Sequence, residues 1–264
     1  MEARAESRHT HLQLQQAYQQ IERALDTAHR MQADLAPRAL PEVPPLRLAV
    51  LHRTGQPVAA GWYDAFRLDE DHVGCHLGQV MGDGLSAGLL GLYLRQAVRT
   101  KEITGHDYRL VPPAEVLGKL NQALLRLQLP EGPFVSMVYV LCNVRSGLVS
   151  FAKAGPLAPL HIPFAGEPAL WPGNGGFLGV FPDVFPAQSR LLGPGDRLVL
   201  CGDDSGAEDA DTLVECAGRH QSEPLGKLVE MIGQDRLARP EPPEGLTVLG
   251  MEWGEGGAQC RQLL

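Results

Sequence analysis

The sequence predicts an α+β layered fold, and three observations carry that prediction. Strand-like segments come in blocks and do not alternate one for one with helices. Two long helical patterns stand together in the middle of the chain. The run Phe134 to Cys142 is nearly all apolar, as a strand covered on both faces would be.

The elements follow in order. From Leu14 to Leu35 the residues Leu14, Tyr18, Ile21, Leu25, Ala28 and Leu35 form a seam at spacings of four and three, and Pro37 stops the helix. This helical segment, residues 1–36, is either a coiled coil that pairs two subunits through 14–35 or an amphipathic helix packed on its own domain. Gln32 interrupts the seam just before Leu35. Pro37, Pro41, Pro44 and Pro45 make 37–45 a stiff linker, because the residue before each proline is pushed out of helix.

The main domain is expected over 46–254, with a tail at 255–264. Leu46–His52, Val58–Leu68 and His72–Val80 read as three strands of an antiparallel meander. A helix over Leu85–Thr100 has a broad apolar face, and a second over Pro113–Leu127 opens on proline and carries Val116, Leu117, Leu120 and Leu124 at helical spacing. Phe134–Cys142 and Leu148–Ala154 form a core hairpin around the turn Asn143–Gly147. Short strands are expected near Leu160 and Arg190, then a buried strand Arg197–Cys201, a charged helical stretch to Arg236 and a last strand Leu246–Trp253.

Composition excludes several classes. A chain of 264 residues that is 44% hydrophobic can bury a core, so its 30 glycines and 21 prolines mark turns and not disorder. The net charge of -8 argues against nucleic acid, since phosphate binders cluster Lys and Arg. From Asp203 to Glu244 eleven acids face four Lys or Arg, which reads as a solvated face. No stretch approaches the ~18 apolar residues of a membrane span, and the opening Met1-Glu2-Ala3-Arg4 does not begin a signal peptide, so a cytoplasmic protein is expected. Five scattered cysteines without a CxxC pair suggest neither zinc nor redox work.

Other constellations fare poorly. Gly82-Asp83-Gly84-Leu85-Ser86-Ala87 meets a loose dinucleotide pattern, but no strand ending in an acid follows about 20 residues on. His72 and His76, four residues apart on a strand, are ~13 Å apart and too far to share one ion. Ser86 and Ser136 lack a recognisable triad.

Four stretches in one order are more specific: Gly61-Trp62-Tyr63-Asp64-Ala65-Phe66; Leu77-Gly78-Gln79-Val80-Met81-Gly82-Asp83-Gly84; Ala154-Gly155-Pro156-Leu157-Ala158-Pro159-Leu160; and Pro194-Gly195-Asp196-Arg197 running to Gly202-Asp203. Together they resemble the bacterial PPM-type serine/threonine phosphatases of the SpoIIE/RsbU-like branch, over roughly Leu35 to Trp253. The resemblance implies a four-layer α-β-β-α sandwich. It also implies a pair of Mg or Mn ions, held by carboxylates, whose shared hydroxide attacks a phosphoserine or phosphothreonine.

Measured against that pattern, the first liganding acid is Gly61 and the acid that bridges both metals is Gln79. Asp203 is kept, though the usual following glycine is Asp204, and Glu244 stands at the fourth place. A lost charge at ~4 Å is worth roughly 4 kcal/mol at an effective dielectric near 20. The expectation is therefore a pseudophosphatase with no catalytic residue assigned and no cofactor. It would bind a regulatory protein of a phosphorylation or partner-switching pathway. Two alternatives stand beside it: an active Mg- or Mn-dependent phosphatase whose site is rebuilt with Asp64, Asp83 and Asp204, or a structural dimer module. Asp64 and Asp83 read equally as turn-forming or capping acids.

Overall fold

The computed structural model describes residues 2–37, 39–55, 58–82, 84–129, 134–203, 210–254 and 261–263. An N-terminal helix α1 (Glu2–Leu35) leads through the proline segment to β1 (Leu46–Arg53), β2 (Gly61–Arg67) and β3 (His72–Val80). Next come α2 (Gly84–Ala97), a hairpin of β4 (Lys101–Thr104) and β5 (Asp107–Leu110), and α3 (Pro113–Leu127). Then follow β6 (Val135–Asn143), β7 (Leu148–Ala154), β8 (Leu160–Ile162), β9 (Ala169–Leu170), β10 (Gln188–Leu191) and β11 (Arg197–Asp203). The helices α4 (Ala210–Arg219) and α5 (Leu225–Leu237) precede β12 (Leu246–Trp253) and β13 (Arg261–Leu263).

The strands form two large sheets, ordered β13, β1, β12, β11, β8, β9 and β10, β7, β6, β3, β2. Between them lies a core of Leu48, Tyr63, Leu77, Val140, Phe151 and Leu249, all nearly inaccessible. On the outer face of the second sheet, Leu94 of α2 and Val116, Leu117, Leu120 and Leu124 of α3 cover Met137, Tyr139 and Ala152. Outside the first sheet, Leu213 and Cys216 of α4 and Leu228, Val229 and Ile232 of α5 cover Ala49, Val199 and Val248. Each large side chain so enclosed contributes about 1.5–3 kcal/mol of transfer free energy. The result is the expected α-β-β-α sandwich.

Four details differ from the sequence expectation. The meander of three strands is broken: β1 pairs with β12 in the first sheet, whereas β2 pairs with β3 in the second, so Arg53 and Gly61 lie in different layers. The helix expected to reach Thr100 ends at Ala97, and the β4–β5 hairpin follows. Its turn is allowed by Gly105 at φ +66°, and the pairs Arg109–Glu115 and Lys119–Glu102 tie it to α3. The charged stretch splits into α4 and α5 at Pro224, and within the expected tail β13 adds to β1 in parallel.

The glycines of the dinucleotide-like stretch have structural work. Gly82 and Gly84 take φ of +126° and +76°, backbone that a side chain resists. Gly88 brings α2 so near the crossing segment that a Cβ would stand 2.3 Å from Val58. In β3 a Cβ on Gly78 would lie 2.2 Å from the buried Trp62 ring, which therefore uses that glycine as its floor. Gly78→Val should displace Trp62 and lower stability by about 3 kcal/mol, measured as the urea midpoint followed by tryptophan fluorescence.

Candidate functional site

Strand alternation decides which side chains of β2 and β3 reach the space between the sheets. Tyr63 and Leu77 join the inter-sheet core, whereas Trp62 and Val80 join the layer under the helices. Gly61 and Gln79 share the parity of Tyr63 and Leu77, and they are register partners. In the opposite sheet Asp203 ends β11 beside Leu246, the first residue of β12.

These strand ends enclose a cleft walled by Gly61, Gln79, Asp203, Thr247, His52 and the Gly245 backbone, with Arg53 also on its lining. The cleft is open to solvent, and about 20 Å³ of it is accessible to the centre of a water molecule. Thus three of the four expected ligand positions, Gly61, Gln79 and Asp203, converge. Glu244 does not join them: it is exposed in the bend before β12, and the wall there is made by Gly245, Leu246 and Thr247.

The substitute acids fare differently. Asp64 has the parity of Trp62, so it lies on the helix-facing side of β2, where Arg95 of α2 pairs with it at 3.1 Å. It is a structural ion pair and no part of the cleft. Asp83 and Asp204 lie outside the described residues. Among the described residues no group of three or more His, Cys, Asp or Glu gathers to hold a metal.

Among the described residues the donor set is short of charge. Gly61 brings no side-chain donor, although the space where its Cβ would stand is open to 3.8 Å. Gln79 is 7% exposed and offers a neutral amide. Asp203 is 8% exposed and accepts a hydrogen bond from Arg236 Nη1 of α5 at 3.4 Å; Arg236 is itself 5% exposed.

Sequence reasoning did not single out Arg236, His52 or Thr247. His52 Nδ1 lies 2.9 Å from the Thr247 hydroxyl, and its ring tilts against Tyr63 with centroids 4.9 Å apart. Burial, and secondarily the Arg95 charge, pushes the His52 pKa down to about 4, so its imidazole is neutral at pH 7.

The helix α1 also reaches this region. Gln32, buried near its end, donates Nε2 to the Ala59 carbonyl at 2.6 Å and accepts from the Ala59 amide at 2.8 Å. Arg95 adds a hydrogen bond to the Leu35 carbonyl while it holds Asp64. The last turns of α1 are thereby fixed two residues from Gly61. Gln32, an apparent flaw in the seam, is the residue that docks the helix.

Two face-to-face antiparallel sheets, helix pairs outside and a cleft at the strand ends define the architecture of the PPM phosphatases. The chain belongs to the SpoIIE family: the model described as Stage II sporulation protein E matches residues 69–252. Similar solved structures include the SiaA PP2C domain of Pseudomonas aeruginosa, with a TM-score of 0.71 at 20% identity over 90% of this chain and 98% of that one. The RsbU and RsbW domains from Mycobacterium tuberculosis give 0.69 at 22% identity over 83% of this chain, which spans 63% of theirs. The PP2C domain of SpoIIE from Bacillus subtilis gives 0.62 at 13% identity, covering 80% and 64%. No curated protein sequence matches this chain. Among the described residues no helix is long and apolar enough to cross a membrane.

The buried histidines set a pH dependence. Burial pushes His76 down to about 3, as it pushes His52 to about 4, both below the ordinary 6.5. Between pH 6.5 and 4 the unfolded chain therefore binds protons that the folded chain does not, and stability falls as pH falls through that window. Thermal unfolding at pH 7, 5.5 and 4.5 should show this decline, and His52→Gln should make it shallower.

Proposed function

We propose that this chain is a pseudophosphatase of the SpoIIE family, one that binds a regulatory protein of a phosphorylation or partner-switching pathway without metal-dependent dephosphorylation. The observation that carries the reading is the cleft wall itself. Where a pair of divalent cations needs several carboxylates, the described residues supply one, Asp203, and it already faces Arg236. Gln79 at the bridging place cannot offset two cations at once. The donor set does not fit a two-metal centre, so no hydrolytic step is assigned to it.

The partner class rests on similarity. Solved neighbours include RsbU and RsbW domains and a bacterial stressosome system described as controlling secondary messenger signalling. A cytoplasmic protein of such a pathway would offer a phosphorylatable surface to be held or shielded. Domain limits of 1–36, 37–45, 46–254 and 255–264 belong to this proposal, as does pairing of two subunits through 14–35. The seam residues Leu14, Tyr18, Ile21 and Leu35 are each about half exposed or more, which supports a second helix as their cover.

Two measurements test these points. With manganese or magnesium in excess, hydrolysis of a phosphorylated peptide should stay at background, and calorimetry should detect no tight metal binding. Metal-dependent turnover abolished by Asp203→Asn would overturn the reading. In light scattering the chain should be a dimer, and Ile21→Glu with Tyr18→Glu should make it a monomer of unchanged fold.

A further inference from the structure

We infer that the end of β11 opposite Asp203 carries a second site: a pocket on the outer face of the first sheet that binds a small aromatic carboxylate. Its walls include Pro163 and Phe164 after β8, Gly195 and Arg197 at the start of β11, and Gln221 and Ser222 between α4 and α5. The pocket is open to solvent, and about 540 Å³ of it is accessible to the centre of a water molecule. Sites for small molecules span roughly 300–1,000 Å³.

Strand alternation brings the guanidinium there. Arg197 has the parity of Val199, which lies under α4 and α5, and Glu252 is its register partner on β12. Glu252, 5% exposed, accepts from Arg197 Nε at 2.9 Å and also pairs with Arg47. Arg197 Nη1 donates to the Gln221 carbonyl at 2.7 Å, whereas Nη2 has no partner among the described residues. A wall residue of the pocket thus keeps N–H groups to give. Burial, and secondarily the charge of Arg47, pull the Arg197 pKa below its ordinary value, so an anion beside it is favoured.

The remaining walls are held in place before any ligand arrives. The Phe164 amide donates to Asp196 Oδ1 at 2.8 Å, and a Cβ on Gly195 would stand 2.7 Å from the Phe164 ring, which rests on that glycine. Phe164 is nevertheless 77% exposed, so most of its ring is free to stack on another. Gln221 Nε2 donates to the carbonyls of Pro163 at 2.6 Å and Gly166 at 3.1 Å, fastening the loop after β8 to the α4–α5 connection. A guanidinium with open N–H groups matches a planar carboxylate, and the bare aromatic face beside it matches a ring.

The test is a titration of the full chain followed by the amide resonances of 163–166, 195–197 and 218–222. The probes are benzoate, naphthalene-2-carboxylate and indole-3-acetate, with naphthalene-2-methanol as the uncharged counterpart and inorganic phosphate as an anion without a ring. At least one carboxylate should bind saturably at these amides, and the alcohol and phosphate should bind about tenfold more weakly or not at all. Phe164→Ala, a change at an exposed side chain, and Arg197→Gln should each weaken the carboxylate by about tenfold.

Absence of saturable shifts at these amides with all three carboxylates up to about 10 mM would overturn the inference. So would equal binding of the alcohol or of phosphate, or undiminished affinity in Phe164→Ala. Should Arg197→Gln be recovered unfolded, the alcohol and Phe164→Ala decide the matter without it. The site is independent of the pseudophosphatase reading, and manganese-dependent hydrolysis of a phosphopeptide would leave it standing.

Discussion

A carboxylate buried under a helix layer has to be met by polar or charged groups, and Asp203, on the face of the first sheet that it shares with Leu246, meets Arg236 of α5. Moving an unmatched carboxylate out of water costs several kcal/mol after relaxation, a large part of the stability of a whole domain. The apolar layer of Leu228, Val229, Ile232 and Leu246 on that face offers nothing to offset it. Asp203, 8% exposed, meets Arg236 there, and Arg236 arrives because the buried stripe of α5 runs from Leu225 to Arg236. Layer packing and site electrostatics are thus one arrangement.

The same cleft wall is shared with the N-terminal helix. Gln32 treats the backbone of Ala59 as a neighbouring strand would, giving one hydrogen bond and accepting one. Arg95 ties the end of α1 to Asp64 on β2. The segment 58–60 is held from below by α2 through Gly88 and Gly91, and from beside by Gln32. Gly61 therefore belongs to a frame built from three elements, although its own side chain contributes nothing.

Much of the fold was legible in the sequence because its signals are local. Leu148–Ala154, Leu246–Trp253, His72–Val80 and Pro113–Leu127 are found at the residues that periodicity, turns and proline indicate. The crossing of β1 and β2 into different sheets was not legible, because antiparallel neighbours and sheet-switching strands have the same pattern of apolar residues. The convergence of Gly61, Gln79 and Asp203 followed from ordered motifs. Arg236 escaped because the acidic stretch around it was read by charge alone. Its place in the register of Leu225, Leu228, Val229 and Ile232 was the available sign that a cation was going inside.

Gly61 and Gln79 bring no negative charge to the cleft wall, and two or more carboxylates buried there would repel one another without cations between them. Among the described residues one carboxylate, Asp203, lines the cleft. Arg236 meets Asp203 at 3.4 Å from the α5 side of the first sheet, the face that Asp203 shares with Leu246. Gly61 and Gln79 on β2 and β3 thus face the space between the sheets, while the pair of Asp203 and Arg236 belongs to the layer between the first sheet and α5.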